Sequence, residues 1–172
     1  MIELTLNHAE LGAIADEFGA TETQVMLALR RARVRTARGL KTLAGRELKG
    51  DLDLRTMKAI RRRLRDRVSE EGVSLWVGLN SLPIMAFKGR PRQTAAGVEV
   101  GEKVAEGAFL AMGGAYWRTG PDRFPLQTAI VPISEEAKEV LSGRLWPRMK
   151  EMFMDAFRSE IRARTVFGVG AR

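Results

Sequence analysis

The first 20 residues carry two apolar patterns. Ile2, Leu4 and Leu6 alternate with polar residues, and the following residues predict a helix from about Ala9 to Phe18. Gly19 would end this helix, because glycine tolerates the left-handed conformation found after a helix C-terminus. This part of the chain is therefore predicted to be an N-terminal extension.

Residues 21–68 predict two helices. Thr21 or Thr23 could cap the first, because a threonine side chain accepts a hydrogen bond from a free amide at a helix N-terminus. This helix is expected to run towards Leu43 or Leu48. Its apolar residues fall on two lines, with Val25, Leu29 and Ala32 on one and Leu27 and Val34 on the other.

The second helix is predicted over residues 53–68, where the periodicity is clearer. Apolar residues recur every three or four positions, as in a helix with one buried stripe; they are Leu54, Met57, Ile60, Leu64 and Val68. Basic residues occupy the opposite side of this predicted helix. Five of them form a candidate surface for an anionic partner: Arg55, Lys58, Arg61, Arg62 and Arg65.

Residues 72–132 change to a period of two and are rich in glycine, proline and β-branched or aromatic residues. The alternation from Val73 to Leu79 predicts a strand. Short segments between these limits predict further strands: 84–87, 98–104, 108–112, 115–118 and 126–131. Because the intervening turns are short, we expect a small antiparallel sheet.

The stretch Lys88–Gly97 has little apolar content and predicts a loop or an extended β-hairpin arm. It is a candidate assembly loop. The side chains that it would offer to a neighbour are Lys88, Arg90, Arg92, Gln93 and Thr94.

Residues 134–165 predict a long C-terminal helix. Ser134 is suited to its N-cap, and Pro147 inside the apolar pattern predicts a kink or a break. The whole pattern predicts one α+β domain over residues 1–172. Its parts are N-terminal basic helices, a small antiparallel sheet with an extended loop or hairpin, and a long, kinked C-terminal helix.

Positive charge is concentrated in one part of the chain. Residues 21–68 hold 15 Lys and Arg against 5 Asp and Glu, a net charge of +10. The other 124 residues hold 14 against 16, a net charge of −2, so the total is +8. Segregated positive charge is typical of proteins that bind a polyanion or an acidic protein surface. A solvated surface without a partner is the alternative.

The sequence offers little catalytic chemistry. It has no cysteine and a single histidine, His8, and it lacks both a Walker-type glycine loop and a Gly-x-Ser-x-Gly motif. Acidic pairs such as Glu70-Glu71 are adjacent, and adjacent residues on a helix do not face each other. We therefore expect no enzymatic activity, no metal or other cofactor and no small-molecule substrate.

Targeting signals are also missing from the sequence. The N-terminus does not follow the pattern of a signal peptide, and no apolar run approaches the ~20 residues of a membrane span. We expect a soluble protein of the cytoplasm with no membrane partner.

Residues 11–30 have the spacing of a helix-turn-helix motif. Ala15 would let two helices approach, Gly19 would make the turn, and Val25 would pack the second helix. That helix carries Met26 and Leu27 where polar side chains usually read bases. Two helices packed at a glycine turn, without DNA binding, are the alternative.

Five short motifs follow one another in order along the second half of the chain. They are Gly78-Leu79-Asn80, Arg92-Gln93-Thr94, Gly107-Ala108-Phe109, Trp117-Arg118-Thr119-Gly120 and Arg123-Phe124-Pro125-Leu126. This order resembles the minor tail protein Z family of lambda-like phages and prophages. The basic helices before the motifs and the amphipathic helix after them look similar too, so the resemblance covers roughly residues 25–165. Residues 1–20 and the region of Pro147 depart from the family pattern.

The resemblance implies a structural protein that completes the phage tail and joins it to the head as an oligomeric ring. It implies other tail and neck proteins as partners and a non-specific contact of the basic surface with DNA. The protein would occur in the host bacterial cytoplasm during assembly and then in the tail or neck of the virion. The family has no catalytic residues to carry over.

Two other functions stay open at this point. One is a DNA-binding regulator that uses the helix-turn-helix spacing of residues 11–30. The other is a basic chaperone or scaffold that binds acidic proteins.

Overall fold

The structure, a computed structural model, describes residues 2–5 and 7–170. Leu6 and the side chain of His8 lie outside the described residues. The chain folds as two compact units. The terminal unit comprises residues 1–44, 64–77 and 141–172, and the central unit comprises residues 45–63 and 78–140.

Helices α1 (His8–Glu17) and α2 (Glu22–Asp51) begin where the sequence predicts. Gly19, with φ +57°, follows α1 in the left-handed conformation. Thr21 and Gln24 then form a capping box at α2: the Thr21 hydroxyl accepts from the Gln24 amide (3.4 Å), and Oε1 of Gln24 accepts from the Thr21 amide (2.9 Å). The cap is therefore Thr21 rather than Thr23.

The C-terminal helix is interrupted, as Pro147 predicts. Helix α4 (Ser134–Val140) is followed by a π-helical turn, Leu141–Leu145, and then by α5 (Trp146–Thr165). Pro147 lies in the first turn of α5, where its missing amide costs no hydrogen bond. None of the helices in the described part of the chain is long and apolar enough to cross a membrane.

Alanines on α2 and aromatic residues on α5 form the core of the terminal unit. Small side chains on α2 allow close packing, and at Gly39 a Cβ would lie only 2.7 Å from Cε of Met152. The Phe153 and Phe157 rings stack with their centroids 6.3 Å apart. The buried cluster consists of Leu11, Ile14, Ala28, Leu29, Ala32, Phe153, Ala156, Phe157 and Ile161.

The predicted helix over residues 53–68 is wrong. Only α3 (Lys58–Arg61) is α-helical there, and Leu64–Val68 is strand β2. It pairs antiparallel with β3 (Gly72–Val77), and β3 also pairs with β1 (Ile2–Thr5), giving the order β1-β3-β2 in the terminal unit. Leu64 and Val77 face the buried side of this sheet, so pairing with β3 decides the conformation of this segment.

The central unit holds three small antiparallel sheets instead of one. Their strands are β4 (Leu82–Pro83), β5 (Arg92–Gln93), β6 (Gly97–Val100), β7 (Lys103–Glu106), β8 (Phe109–Ala111), β9 (Gly114–Arg118), β10 (Leu126–Thr128) and β11 (Ile130–Val131). They pair as β5-β6-β7, β8-β9-β10 and β4-β11. The α+β class is confirmed.

Three strand predictions need correction. Segment 126–131 is not one strand, because it forms β10 and β11, which belong to different sheets. Segment 98–104 is not one strand, because the chain turns at Gly101-Glu102 and β6 pairs with β7 as a hairpin. Segment 84–87 is a 3-10 turn, Ile84–Ala86. The stretch Lys88–Gly97 does not extend as an arm, because Arg92 and Gln93 pair with Glu99 and Val98 of β6.

Candidate interaction surfaces

The five basic residues of the predicted helix face do not share a helix. Lys58 and Arg61 lie in α3, Arg55 and Arg62 flank it in the central unit, and Arg65 lies in β2 of the terminal unit. All five side chains are exposed. Their charge is therefore available to solvent but not as the continuous face of one helix.

Two arginines of this segment are bound to the protein's own backbone. Nη2 of Arg55 donates to the carbonyl oxygen of Gly89 (3.2 Å). The guanidinium of Arg63 donates to the carbonyl oxygens of Asn80 and Ser81. Arg63 thus holds the segment that follows β3 and is structural.

Arg65 instead takes part in an exposed aromatic contact. Its Cζ lies 5.6 Å from the ring centroid of Trp76, its cross-strand partner on β3. A guanidinium over an indole at this distance makes a favourable cation–π contact. On the other face of β2, a hydrogen bond from Lys41 (2.6 Å) lowers the pKa of Asp66. The edge strand is thus fixed on both faces.

The candidate assembly loop contains exposed cations and two polar side chains that bind backbone groups of the central unit. Arg90 and Arg92 are exposed, and Lys88 forms an exposed ion pair with Asp53 (3.3 Å). The Thr94 hydroxyl donates to the carbonyl oxygen of Gly97 (3.1 Å). Thr94 and Gln93 therefore bind within the central unit, and the cations remain as the outward groups.

Gln93 connects two of the sequence motifs. Its Nε2 donates to the carbonyl oxygens of Gly97 (3.1 Å) and Ala108 (3.2 Å), and its Oε1 accepts from the amide of Leu110 (2.8 Å). One side chain thus ties the β5–β6 hairpin to β8. Gln93 of the Arg-Gln-Thr motif thus contacts the backbone of the Gly-Ala-Phe motif at Ala108.

We expect Gln93→Ala to destabilise the central unit by about 1–2 kcal/mol, because the Ala108 carbonyl and the Leu110 amide lose this partner, whereas the Gly97 carbonyl keeps its hydrogen bonds from Thr94. Trp117 is the reporter of choice, since Trp76 and Trp146 are exposed and can be replaced by phenylalanine. Urea unfolding followed by Trp117 fluorescence measures the loss. Arg92→Ala, at the exposed neighbouring position, should change stability by less than about 0.5 kcal/mol. Equal effects of the two variants would contradict this role of Gln93.

The later motifs also contact one another. Nε1 of Trp117 donates to the carbonyl oxygen of Glu106 (2.8 Å), next to the Gly-Ala-Phe motif. Arg118 lies over the Phe109 ring, with Cζ 5.1 Å from its centroid. The Thr119 hydroxyl donates to the carbonyl oxygen of Pro125 (2.9 Å). Four of the five motifs are thus linked by direct contacts in the central unit.

The helix-turn-helix spacing corresponds to α1, a turn at Gly19 and the start of α2. Gln24 is occupied by the capping box, and its Nε2 donates to the carbonyl oxygen of Arg164 (3.3 Å). Met26 and Leu27 are exposed, as are Arg30 and Arg31. The surface that a DNA groove would meet therefore mixes apolar and basic side chains.

A groove that the sequence analysis missed lies in the terminal unit, along the outward side of α2. Its volume is about 540 Å³. The lining residues are Leu27, Arg30, Arg31, Val34, Arg38, Arg164, Val169 and Gly170. The second apolar line on α2, Leu27 and Val34, was the signal that could have located it.

One carboxylate organises the arginines next to this groove. Glu160 binds Nη1 of Arg164 (2.7 Å) and Nη1 of Arg35 (3.1 Å). Burial raises the pKa of Glu160, but the hydrogen bonds from Arg164 and Arg35 outweigh burial and hold that pKa below its ordinary value. Glu160 is therefore ionised in the folded protein at neutral pH.

Metal-binding chemistry is not assembled in the described ranges: residues 2–5 and 7–170 contain no group of three or more histidine, aspartate or glutamate side chains placed to hold a metal ion. Comparison with models of protein families, with curated proteins and with solved structures gave no significant match.

Proposed function

We propose that the protein is a structural component of a phage or prophage tail that completes the tail and joins it to the head as an oligomer. The observation that carries this proposal is the ordered series of five motifs that resembles the minor tail protein Z family. All five lie in the central unit, and four are linked by the contacts of Gln93, Trp117, Arg118 and Thr119. Contacts among four of the motifs support treating the series as one feature rather than as unconnected matches.

Exposed charge adds to the support. The central unit presents Lys58 and Arg61 in α3, Arg62 directly after it, Arg90 before β5 and Arg92 in β5. A joint through which DNA passes needs basic groups on an accessible surface and no sequence-specific contacts. Under this proposal, the partners are further copies of the chain, other tail and neck proteins and, non-specifically, DNA.

The test is a deletion in the phage or prophage genome that carries the gene, followed by induction and negative-stain electron microscopy of the lysate. We expect filled heads beside unattached tails, or particles that fail at the neck. Expression of the wild-type gene from a plasmid should restore joined, infectious particles. The same plasmid with an early stop codon is the matched control.

Normal infectious particles from the deletion strain would overturn the proposal. So would a lysate with neither heads nor tails, because completion of the tail follows assembly of both parts. Failure at the neck without rescue by the plasmid would point to a polar effect on a neighbouring gene and would count against this chain.

A DNA-binding regulator is the second candidate, and the glycine turn between α1 and α2 favours it. Duplex DNA should then bind the isolated protein with an affinity that falls steeply with salt. Arg30→Ala with Arg31→Ala should abolish binding, whereas Arg61→Ala with Arg62→Ala should not. Gln24 is unsuited to this test, because its substitution would break the cap of α2.

A further inference from the structure

The groove of the terminal unit follows a regular stripe on α2. Leu27, Arg31, Val34 and Arg38 are separated by four, three and four residues, so they lie on one side of the helix. The stripe alternates apolar and cationic side chains over about 16 Å of helix axis. This is the spacing with which one helix packs along another.

The other wall of the groove contains a buried arginine. Arg164, in the last turn of α5, is only 8% exposed. Its Nη1 donates to the side chain and to the carbonyl oxygen of Glu160, but its Nε is buried without a hydrogen-bond partner among the described residues. Glu160 thus holds the guanidinium of Arg164 in place as a fixed positive group on this wall.

Among the described residues, the side chains that line the groove carry only positive charge. Four arginines line it, and none of the described lining residues is acidic. Glu160 neutralises only part of this charge, because it also binds Arg35. Like charges held near an apolar surface repel one another, and the repulsion is relieved when carboxylates bind.

Apolar surface is exposed along the same groove. Leu27 and Val169 line it and are exposed, and Met26 and Phe167 are exposed beside them in sequence. Arginine, methionine and phenylalanine are enriched at the centres of protein–protein interfaces, and Met26 and Phe167 lie beside this groove in sequence.

We propose that this groove binds an acidic amphipathic helix of a partner protein. Apolar side chains of that helix would contact Leu27, Val34 and Val169, and its carboxylates, one helical turn away, would bind Arg31 and Arg38. This is the helix-in-groove mode of recognition with charge complementarity added. The site is independent of the proposed role in the virion.

Nucleic acid fits the same surface less well. Phosphates would pair with the arginines, but a phosphate backbone would leave Leu27, Val34 and Val169 without an apolar partner. The apolar side chains that alternate with the arginines along the stripe would then contribute nothing to binding. An acidic helix satisfies both kinds of side chain.

The test uses the full-length protein and a fluorescein-labelled helical peptide of about 18 residues. The peptide carries leucine and glutamate alternately at spacings of three and four, with alanine and glutamine elsewhere. We expect fluorescence anisotropy to show saturable binding. Arg31→Glu with Arg38→Glu should weaken it at least about tenfold, whereas Arg61→Glu with Arg62→Glu, the same change in net charge, should leave it within about twofold.

Exchanging the charges between the peptide and the protein tests whether the peptide binds at Arg31 and Arg38. A second peptide with lysine in place of each glutamate should bind the Arg31→Glu, Arg38→Glu protein better than the wild-type protein. Leu27→Ser should weaken the acidic peptide several-fold without changing the total charge. Circular dichroism of each variant checks that α2 is intact.

Four outcomes would overturn the proposal. They are no saturable binding of the acidic peptide, equal losses in both double variants, no recovery with the lysine peptide, and an unchanged affinity for Leu27→Ser. If a labelled DNA duplex binds more tightly than the peptide and depends on Arg31 and Arg38, the groove is a nucleic-acid site instead.

Discussion

Phe157→Ala should remove about 3–5 kcal/mol from the free energy of unfolding, which is a large fraction of the stability of a chain of this size. Phe157 is fully buried in the core of the terminal unit, where its ring stacks on Phe153. Alanine would leave a cavity between α2 and α5, and the short side chains of Ala28 and Ala32 could not fill it. Denaturation in urea, followed by helical circular dichroism, measures the loss.

Two further phenylalanine variants make this prediction specific. Phe167→Ala removes the same atoms from a side chain that is 69% exposed, so its effect should stay within about 0.5 kcal/mol. Phe157→Leu nearly conserves volume and should cost clearly less than Phe157→Ala. If Phe167→Ala were as harmful as Phe157→Ala, the core of this unit would have been assigned wrongly.

Local signals were sufficient for the long helices. Gly19, the candidate cap Thr21 and the periodicity of Val25, Leu29 and Ala32 each act over a few residues, and the structure agrees with them, adding Gln24 as the second member of a capping box. Pro147 likewise predicted the interruption before α5. These features are readable because helix starts and stops depend on neighbouring residues.

Residues 53–68 show where local signals fail. The spacing of their apolar residues fits a helix, but these residues belong to different local structures and are buried in different contacts. Leu54 forms a bridge with Phe87, Ile60 is buried in α3, and Leu64 faces the buried side of β2. Pairing of β2 with β3 outweighed helix propensity, and a tertiary contact of this kind is not visible in the apolar period.

For the candidate surfaces, the sequence predicted which residues carry the charge but not where their side chains lie in the fold. The sequence located the charge, but the three-dimensional structure divides it between two units, binds Arg55 and Arg63 to backbone carbonyls, and engages Gln93 in hydrogen bonds with backbone groups of the central unit. The groove on α2 depends on the side chains of Arg164 and Val169, which are distant in sequence from Leu27 and Val34. Which of two apolar lines on a helix is buried depends on what packs against it.

Leu64→Asp should prevent folding of the terminal unit, with a loss of about 4 kcal/mol or more. Leu64 is 4% exposed and lies opposite Val77 in the β2–β3 pair. An aspartate there would have to bury its charge or abandon the strand pairing, and both cost several kcal/mol. Loss of the cooperative thermal transition, or aggregation on a sizing column, is the expected result; an unchanged melting curve would contradict the buried position.

Val68→Asp distinguishes the observed strand β2 from the helix that the periodicity of residues 53–68 predicts. On a helix over residues 53–68, Leu64 and Val68 would lie on the same buried stripe, and aspartate at either position would be equally harmful. In β2, Val68 is at the end of the strand and 41% exposed, so its substitution should cost less than about 1 kcal/mol. If the β2–β3 pairing is correct, Leu64→Asp should cause a large loss of stability and Val68→Asp a small one. Equal losses of stability would contradict the pairing.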